Sequence, residues 1–198
     1  MCLVCINWDA ITAIATCALV GLGALTLLYA RMQIKDFRAE NRIKHLIELV
    51  TQFESEPFVS IRKRLGKARF DGSKLRELDL KNPPPELYDT MNFFEHVGFL
   101  LDGKYIDLEG VSVELHYWIL NVWVDARGLI AQEQKDDPIY YEMFDKMAKR
   151  LIEYDRPRTG KFEIPTADEI RGFYEDEAEL APDAPISRGR RRKRNLHN

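Results

Sequence analysis

Apolar positions along this chain change their pattern at Arg31. From Ala10 to Ala30 they run almost without interruption, AITAIATCALVGLGALTLLYA, 21 positions with no charge between Asp9 and Arg31. As a helix rising 1.5 Å per residue this stretch spans about 31 Å, the thickness of a hydrocarbon core. Trp8 and Tyr29 sit near its ends, where amphipathic rings favour the membrane interface. A cleavable signal peptide wants basic residues before a shorter apolar run, and no Lys or Arg precedes this one. A lipoprotein cleavage box at Ile14-Ala15-Thr16-Cys17 fits poorly, because Thr precedes the cysteine. The pattern therefore predicts an uncleaved transmembrane helix over 10–30, with 1–9 as a short outer segment.

Beyond Arg31 the apolar residues recur every three or four positions. No proline occurs between Ala10 and Glu56, so the first helix is expected to continue through HLIELVTQF. Ile43, Leu46, Ile47, Val50 and Phe53 form its expected stripe. Ser55-Glu56-Pro57 opens a second helix that runs to the turn at Asp71-Gly72. After three consecutive prolines comes a helix with Leu87, Met91, Phe94, Val97 and Leu101 inward, closed by Asp102-Gly103. A long helix is expected from Val111 to about Gln134, with Leu115, Trp118, Ile119, Val122, Ala126, Leu129 and Ile130 on one face. Asp137-Pro138 reads as a cap and first position for the next helix, striped by Ile139, Met143, Met147 and Leu151. Thr166 and Glu169 match a capping box for a last short helix. No period-2 strand pattern stands out. The expected fold is all-α: one N-terminal transmembrane helix continuing into a small cytoplasmic helical bundle over 31–180, then a disordered basic tail over 181–198.

Charge sets the orientation. Arg31, Lys35, Arg38, Arg42 and Lys44 follow the apolar run directly, which places the C-terminal side in the cytoplasm and the N-terminus outside the inner membrane. The formal net charge is −3, from 29 basic and 32 acidic residues. Six of the basic ones are Arg188, Arg190, Arg191, Arg192, Lys193 and Arg194; without them 23 bases face 32 acids, a balance of −9. An acidic body repels phosphates, so no specific nucleic-acid partner is expected. The tail is either a solvated end or a contact for anionic lipid.

Candidate chemistry is sparse. Cys2 and Cys5 have C-x-x-C spacing but lack the second pair of a zinc site, and no cysteine follows Cys17. None of His45, His96, His116 and His197 sits in a Glu-x-x-His frame. A membrane-tethered metal enzyme using His96 and His116 with Glu95 and Glu114 stays open as an alternative. Gly98 to Glu109 has the glycine and last glutamate of a calcium loop but not its first carboxylates, and reads as a tight turn. The acidic run EDEAEL near residue 177 reads as a solvated face. Ala13, Cys17 and Gly21, spaced by four, would let two membrane helices approach closely, a route to a homodimer. Trp118 falls on the core stripe; Trp123, five residues on, faces another side and is a candidate partner surface, with the core the default reading for both. No cofactor and no catalytic residue is expected. The reading is a protein-interaction or scaffolding module at the membrane.

The order of an N-terminal anchor, HLIELVTQF and NFFEHVGFLLDGKYIDLEGVSVELHYWILNVW, from Asn92 to Trp123, resembles an uncharacterised bacterial family of small membrane-anchored helical proteins, a domain of unknown function. The resemblance implies the fold and no reaction.

Overall fold

The computed structural model describes residues 8–159 and 164–180. Among them are seven helices and no strand: α1 Trp8–Phe53, α2 Glu56–Arg69, α3 Pro85–Asp102, α4 Leu108–Glu114, α5 His116–Asp136, α6 Glu142–Thr159 and α7 Ala167–Ala178. The chain divides into two compact units, Met1–Arg42 and Ile43–Asn198. Residues 31–42 thus group with the apolar run rather than with the bundle.

The described residues of the first unit are the N-terminal part of α1. Its side chains from Ile14 to Tyr29 lie open: Leu19 is 69% exposed and Leu27 74%. An 18-residue window here has a mean hydropathy of 1.6, and none of it is buried. The helix is long and apolar enough to cross a membrane. Thr16 and Thr26 turn their hydroxyls back on the carbonyls of Thr12 and Leu22, at 2.8 Å each, which satisfies two polar groups inside the apolar run.

The second unit begins on the last turns of α1. Leu49 and Phe53 are buried there and Leu46 and Val50 partly so, while Ile43 and Ile47 stay exposed. The buried stripe is therefore rotated from the expected one by about one position. Phe53 stands among Phe58 of α2, Phe93 and Phe94 of α3 and Trp118 of α5, with ring centroids 5.2–5.8 Å away. Phe94 stacks in turn on Phe144 of α6 at 5.4 Å. These offset and tilted pairs form the aromatic centre of the core. Leu87, Met91, Val97 and Leu101 of α3 are buried around it, as their spacing predicts.

Several ends carry their own chemistry. Ser55, in extended conformation, precedes α2, with Pro57 in the first turn. Gly72, at φ +88°, turns the chain after α2 so that Phe70 bridges Leu75. The Asp71 carboxylate accepts the N–H groups of Lys74 and Ser73 and is held below its ordinary pKa by those bonds. Asp107 caps α4 by accepting from Gly110 N at 2.7 Å. Thr166 and Glu169 form the capping box of α7.

Two expectations on helix limits are corrected. The helix expected from Val111 to Gln134 is interrupted at Leu115, whose ψ of −6° leaves helical geometry; the buried side chain stays in the core across the break. The helix expected at Asp137-Pro138 starts only at Glu142. Asp137 instead closes a turn, accepting from Ile139 N, and Tyr141 takes a positive φ of 55°. Ile139 is consequently exposed. The free N–H groups of Met143 and Phe144 donate to the Glu95 carboxylate of α3 at 3.2 and 2.7 Å. A carboxylate from another helix thus caps α6 and complements its dipole.

Glycines let the helices close up. A Cβ on Gly66 would overlap the backbone at Glu177–Ala178, and one on Gly98 would overlap the Met143 carbonyl. Gly98→Ala is therefore expected to lower the unfolding free energy by about 1–3 kcal/mol through overpacking of α3 on α6. Thermal unfolding of the detergent-solubilised chain, followed by far-UV circular dichroism, measures this; an unchanged midpoint would show that the helices part without cost.

Candidate functional site

The polar centre of the second unit is built by α2. Its buried positions are Phe58, Val59, Arg62, Leu65, Gly66 and Arg69, so two arginines stand on the core stripe seven residues apart. Arg62 is 4% exposed and Arg69 3%. A guanidinium cannot shed its proton to escape burial, so each needs a carboxylate with matching geometry.

Arg62 finds one on α7. Its Nε and Nη2 donate to the two carboxylate oxygens of Glu177 at 2.8 and 2.9 Å. The Trp118 indole N–H donates to Glu177 Oε1 at 2.9 Å. The guanidinium lies 4.4 Å from the Phe53 ring centre and 5.2 Å from that of Trp118, in cation–π range. Arg69 finds its partner on α5. Its Nε and Nη2 donate to Asp125 at 2.9 and 2.6 Å, and the Tyr174 hydroxyl donates to the same carboxylate at 2.8 Å. Burial alone would lower the Arg69 pKa, but the hydrogen bonds and charge of Asp125 outweigh it and hold it above its ordinary value. Burial first, and the Asp125 charge second, push the Tyr174 phenol well up.

Both carboxylates are committed to guanidinium and ring donors, which makes this centre a clasp between helices rather than an acid–base pair. Beside it lies a void of about 10 Å³, lined in part by Arg62, Thr90, Phe94 and Trp118. That is room for one water. Arg62 Nη1 is buried without a protein partner.

The residues singled out from the sequence are placed as follows. Trp123 does not mark a partner surface: it is 8% exposed and its indole N–H donates to Asp145 of α6 at 3.0 Å. The stripe residue Trp118 is the less covered of the two. The face of α5 bearing Trp123 is closed by α6, which periodicity on α5 alone could not reveal. Glu177 corrects the reading of EDEAEL as wholly solvated, since it is 5% exposed. Cys17 is exposed on α1, and Gly21 has open space around it. The backbone of Ala13 lies in the same helix. His45 pairs with Glu48 at 3.3 Å, His116 with Asp155 at 2.8 Å, and Glu95 caps α6. Among the described residues no three His, Cys, Asp or Glu side chains come together as a metal would require. Arg188, Arg190, Arg191, Arg192, Lys193 and Arg194 lie outside the described residues, as do Cys2 and Cys5.

Sequence reasoning missed Arg62, Arg69, Asp125, Tyr174 and Glu177 as a group. A signal was present: Arg62 and Arg69 keep the helical phase of Phe58 and Leu65. The acids that answer them lie 115 and 56 residues away in sequence, where spacing says nothing.

The chain belongs to the DUF4760 family, a domain of unknown function, whose model matches residues 13–151. No curated protein and no solved structure matches it. Arg62, Arg69 and Asp125 fall inside the matched stretch, and Tyr174 and Glu177 beyond it.

Two outcomes follow. Glu177→Gln keeps the shape but leaves Arg62 buried and uncompensated, at a cost of about 3–5 kcal/mol. Adding Arg62→Met should recover most of that loss while Gln still accepts the Trp118 N–H; denaturant titration of both variants checks it. Tyr141 is one alkaline sensor beside Tyr174: burial, then the neighbouring Tyr88 and Glu133, raise its phenol from 10 to about 12. The folded state therefore keeps that proton longer than the unfolded chain does. Stability is full below pH 10 and falls as pH rises toward 12. Tyr141→Phe should make this decline shallower, with Tyr174 supplying the remainder, as measured by thermal midpoint against pH.

Proposed function

We propose that this protein is a single-pass, membrane-anchored module whose helical unit is held at the cytoplasmic face and engages a protein partner there. The observation that carries the anchor is the uncovered apolar surface of α1 between Ile14 and Tyr29. A core helix of a soluble protein would bury such a surface, and an apolar face of this extent in water would drive association. Lipid is the solvent that fits it. The cluster Arg31, Lys35, Arg38, Arg42 and Lys44 supports the cytoplasmic orientation.

The interaction reading rests on the second unit. Its carboxylates at Glu95, Asp125 and Glu177 are spent on caps and ion pairs. The void beside Arg62 is too small for a substrate. Meanwhile Phe99, Tyr105, Val113 and Ile139 leave large apolar side chains in solvent, and these replace Trp123 as the candidate partner-facing residues.

Alkaline carbonate extraction and protease protection test the anchor. The full chain should stay with the membrane pellet, and protease added from outside should leave the C-terminal two thirds intact. Leu22→Arg, which puts about 2.5–3.5 kcal/mol of insertion cost near the centre of the span, should release a measurable fraction into the wash. Complete release of the unaltered chain would defeat the reading.

A further inference from the structure

We propose that α1 pairs in parallel with α1 of a second copy of this chain, along one heptad seam that runs from the apolar stretch into the charged stretch that follows it. The seam consists of Leu27, Ile34 and Asn41 at one repeat position and Gly23, Ala30 and Phe37 at the other. A spacing of alternately three and four residues keeps one edge of a helix facing a partner with a slight left-handed supercoil. The parallel direction rests on the membrane-anchor reading, since copies inserted the same way run the same way.

Charge selects this register. Across residues 31–42 a heptad can be laid in seven ways. Six of them put at least one of Arg31, Lys35, Asp36, Arg38, Glu40 or Arg42 on the seam. The seventh puts Ile34, Phe37 and Asn41 there and no charge at all. It is also the register that continues upstream through Ala30, Leu27 and Gly23.

Exposure says that the seam is unfilled within one chain: Ile34 is 53% and Phe37 64% exposed, although both lie in the charged part of the helix. Lipid tails cover Leu27, but Ile34 and Phe37 follow Arg31, so a protein surface covers them better. A second copy supplies a complementary one. A seam Asn can hydrogen-bond to the same Asn of a parallel partner, a pairing that specifies two strands and one register. In that arrangement the flanking Thr26 and Gln33 of one copy face Arg31 and Arg38 of the other, so no like charges meet. Carried further, the register falls on Lys44 and Glu48, both exposed, and misses the buried Leu49 and Phe53. Of the small-residue stripe, Ala13 shares the repeat position of Leu27 two heptads upstream, whereas Cys17 and Gly21 step off the seam with the four-residue spacing of a right-handed crossing.

Single cysteines at positions 33 to 41, placed in the full chain with Cys2, Cys5 and Cys17 changed to Ser, test the seam by oxidative crosslinking in native membranes. Crosslinked dimer should peak at Ile34→Cys, Phe37→Cys and Asn41→Cys, several-fold above Lys35→Cys, Asp36→Cys and Ala39→Cys. A flat profile or a peak on another face would overturn the proposal, and so would a disulfide dimer that forms in the unaltered chain through Cys17 but at none of these positions. Carbonate extraction of the same membranes separates it from the anchor reading. Retention without the periodic crosslinks sinks the seam alone, whereas the periodic crosslinks in a chain that washes off uphold the seam and sink the anchor.

Discussion

Two arginines that cannot give up their charge govern the helical unit. Arg62 and Arg69 lie on the core stripe of α2, where an unpaired guanidinium would cost more than the whole fold is worth. Each must therefore meet a carboxylate in bidentate geometry. Those carboxylates are on α7 and α5. The requirement ties three helices together: α2 reaches α7 through Glu177 and α5 through Asp125. Gly66 then lets the α7 backbone come close enough for the pair to form. Such pairs add little net stability compared with apolar residues of the same size, but they penalise every arrangement in which they are broken. They define which packing is allowed more than how stable it is.

Aromatic packing adjoins the clasp. Phe53, the last residue of α1, touches Phe58, Phe93, Phe94 and Trp118 and also lies under the Arg62 guanidinium. One side chain thus belongs to both the apolar core and the charged centre. The same burial physics acts with the opposite result at the other end of α1. There the apolar side chains have no protein around them, and the helix satisfies its own backbone and threonine hydroxyls. Such a segment suits a medium without water. Under the readings proposed here, one helix serves two solvents: lipid along 10–30 and a protein core at Leu49 and Phe53.

Much of this was legible in the residues. The absence of proline before Pro57 announced the length of α1. The α3 stripe of Leu87, Met91, Phe94, Val97 and Leu101 is buried as its periodicity requires, and the Thr166–Glu169 box caps α7. Local chemistry failed where a remote group intervened. Asp137-Pro138 has the form of a helix start, yet Glu95, more than forty residues earlier, caps α6 at Met143 and Phe144 instead. Trp123 is a candidate for a partner surface on periodicity alone, because the pattern of α5 has one favoured face, whereas α6 covers a second. The acidic run before Leu180 hides one residue, Glu177, whose role depends on an arginine 115 positions away.

By itself the sequence determined the all-α class, the apolar span and its flanking charges, and most helix limits. Hydropathy, backbone propensity and end-capping act over a few residues, so they can be read along the chain. The tertiary structure alone decided which charges are buried and with whom, which tryptophan is covered, and where α6 begins. Those outcomes depend on surfaces from distant segments meeting, and the free energy of burying a charge or an indole is set by the partner it meets, not by its neighbours in the chain.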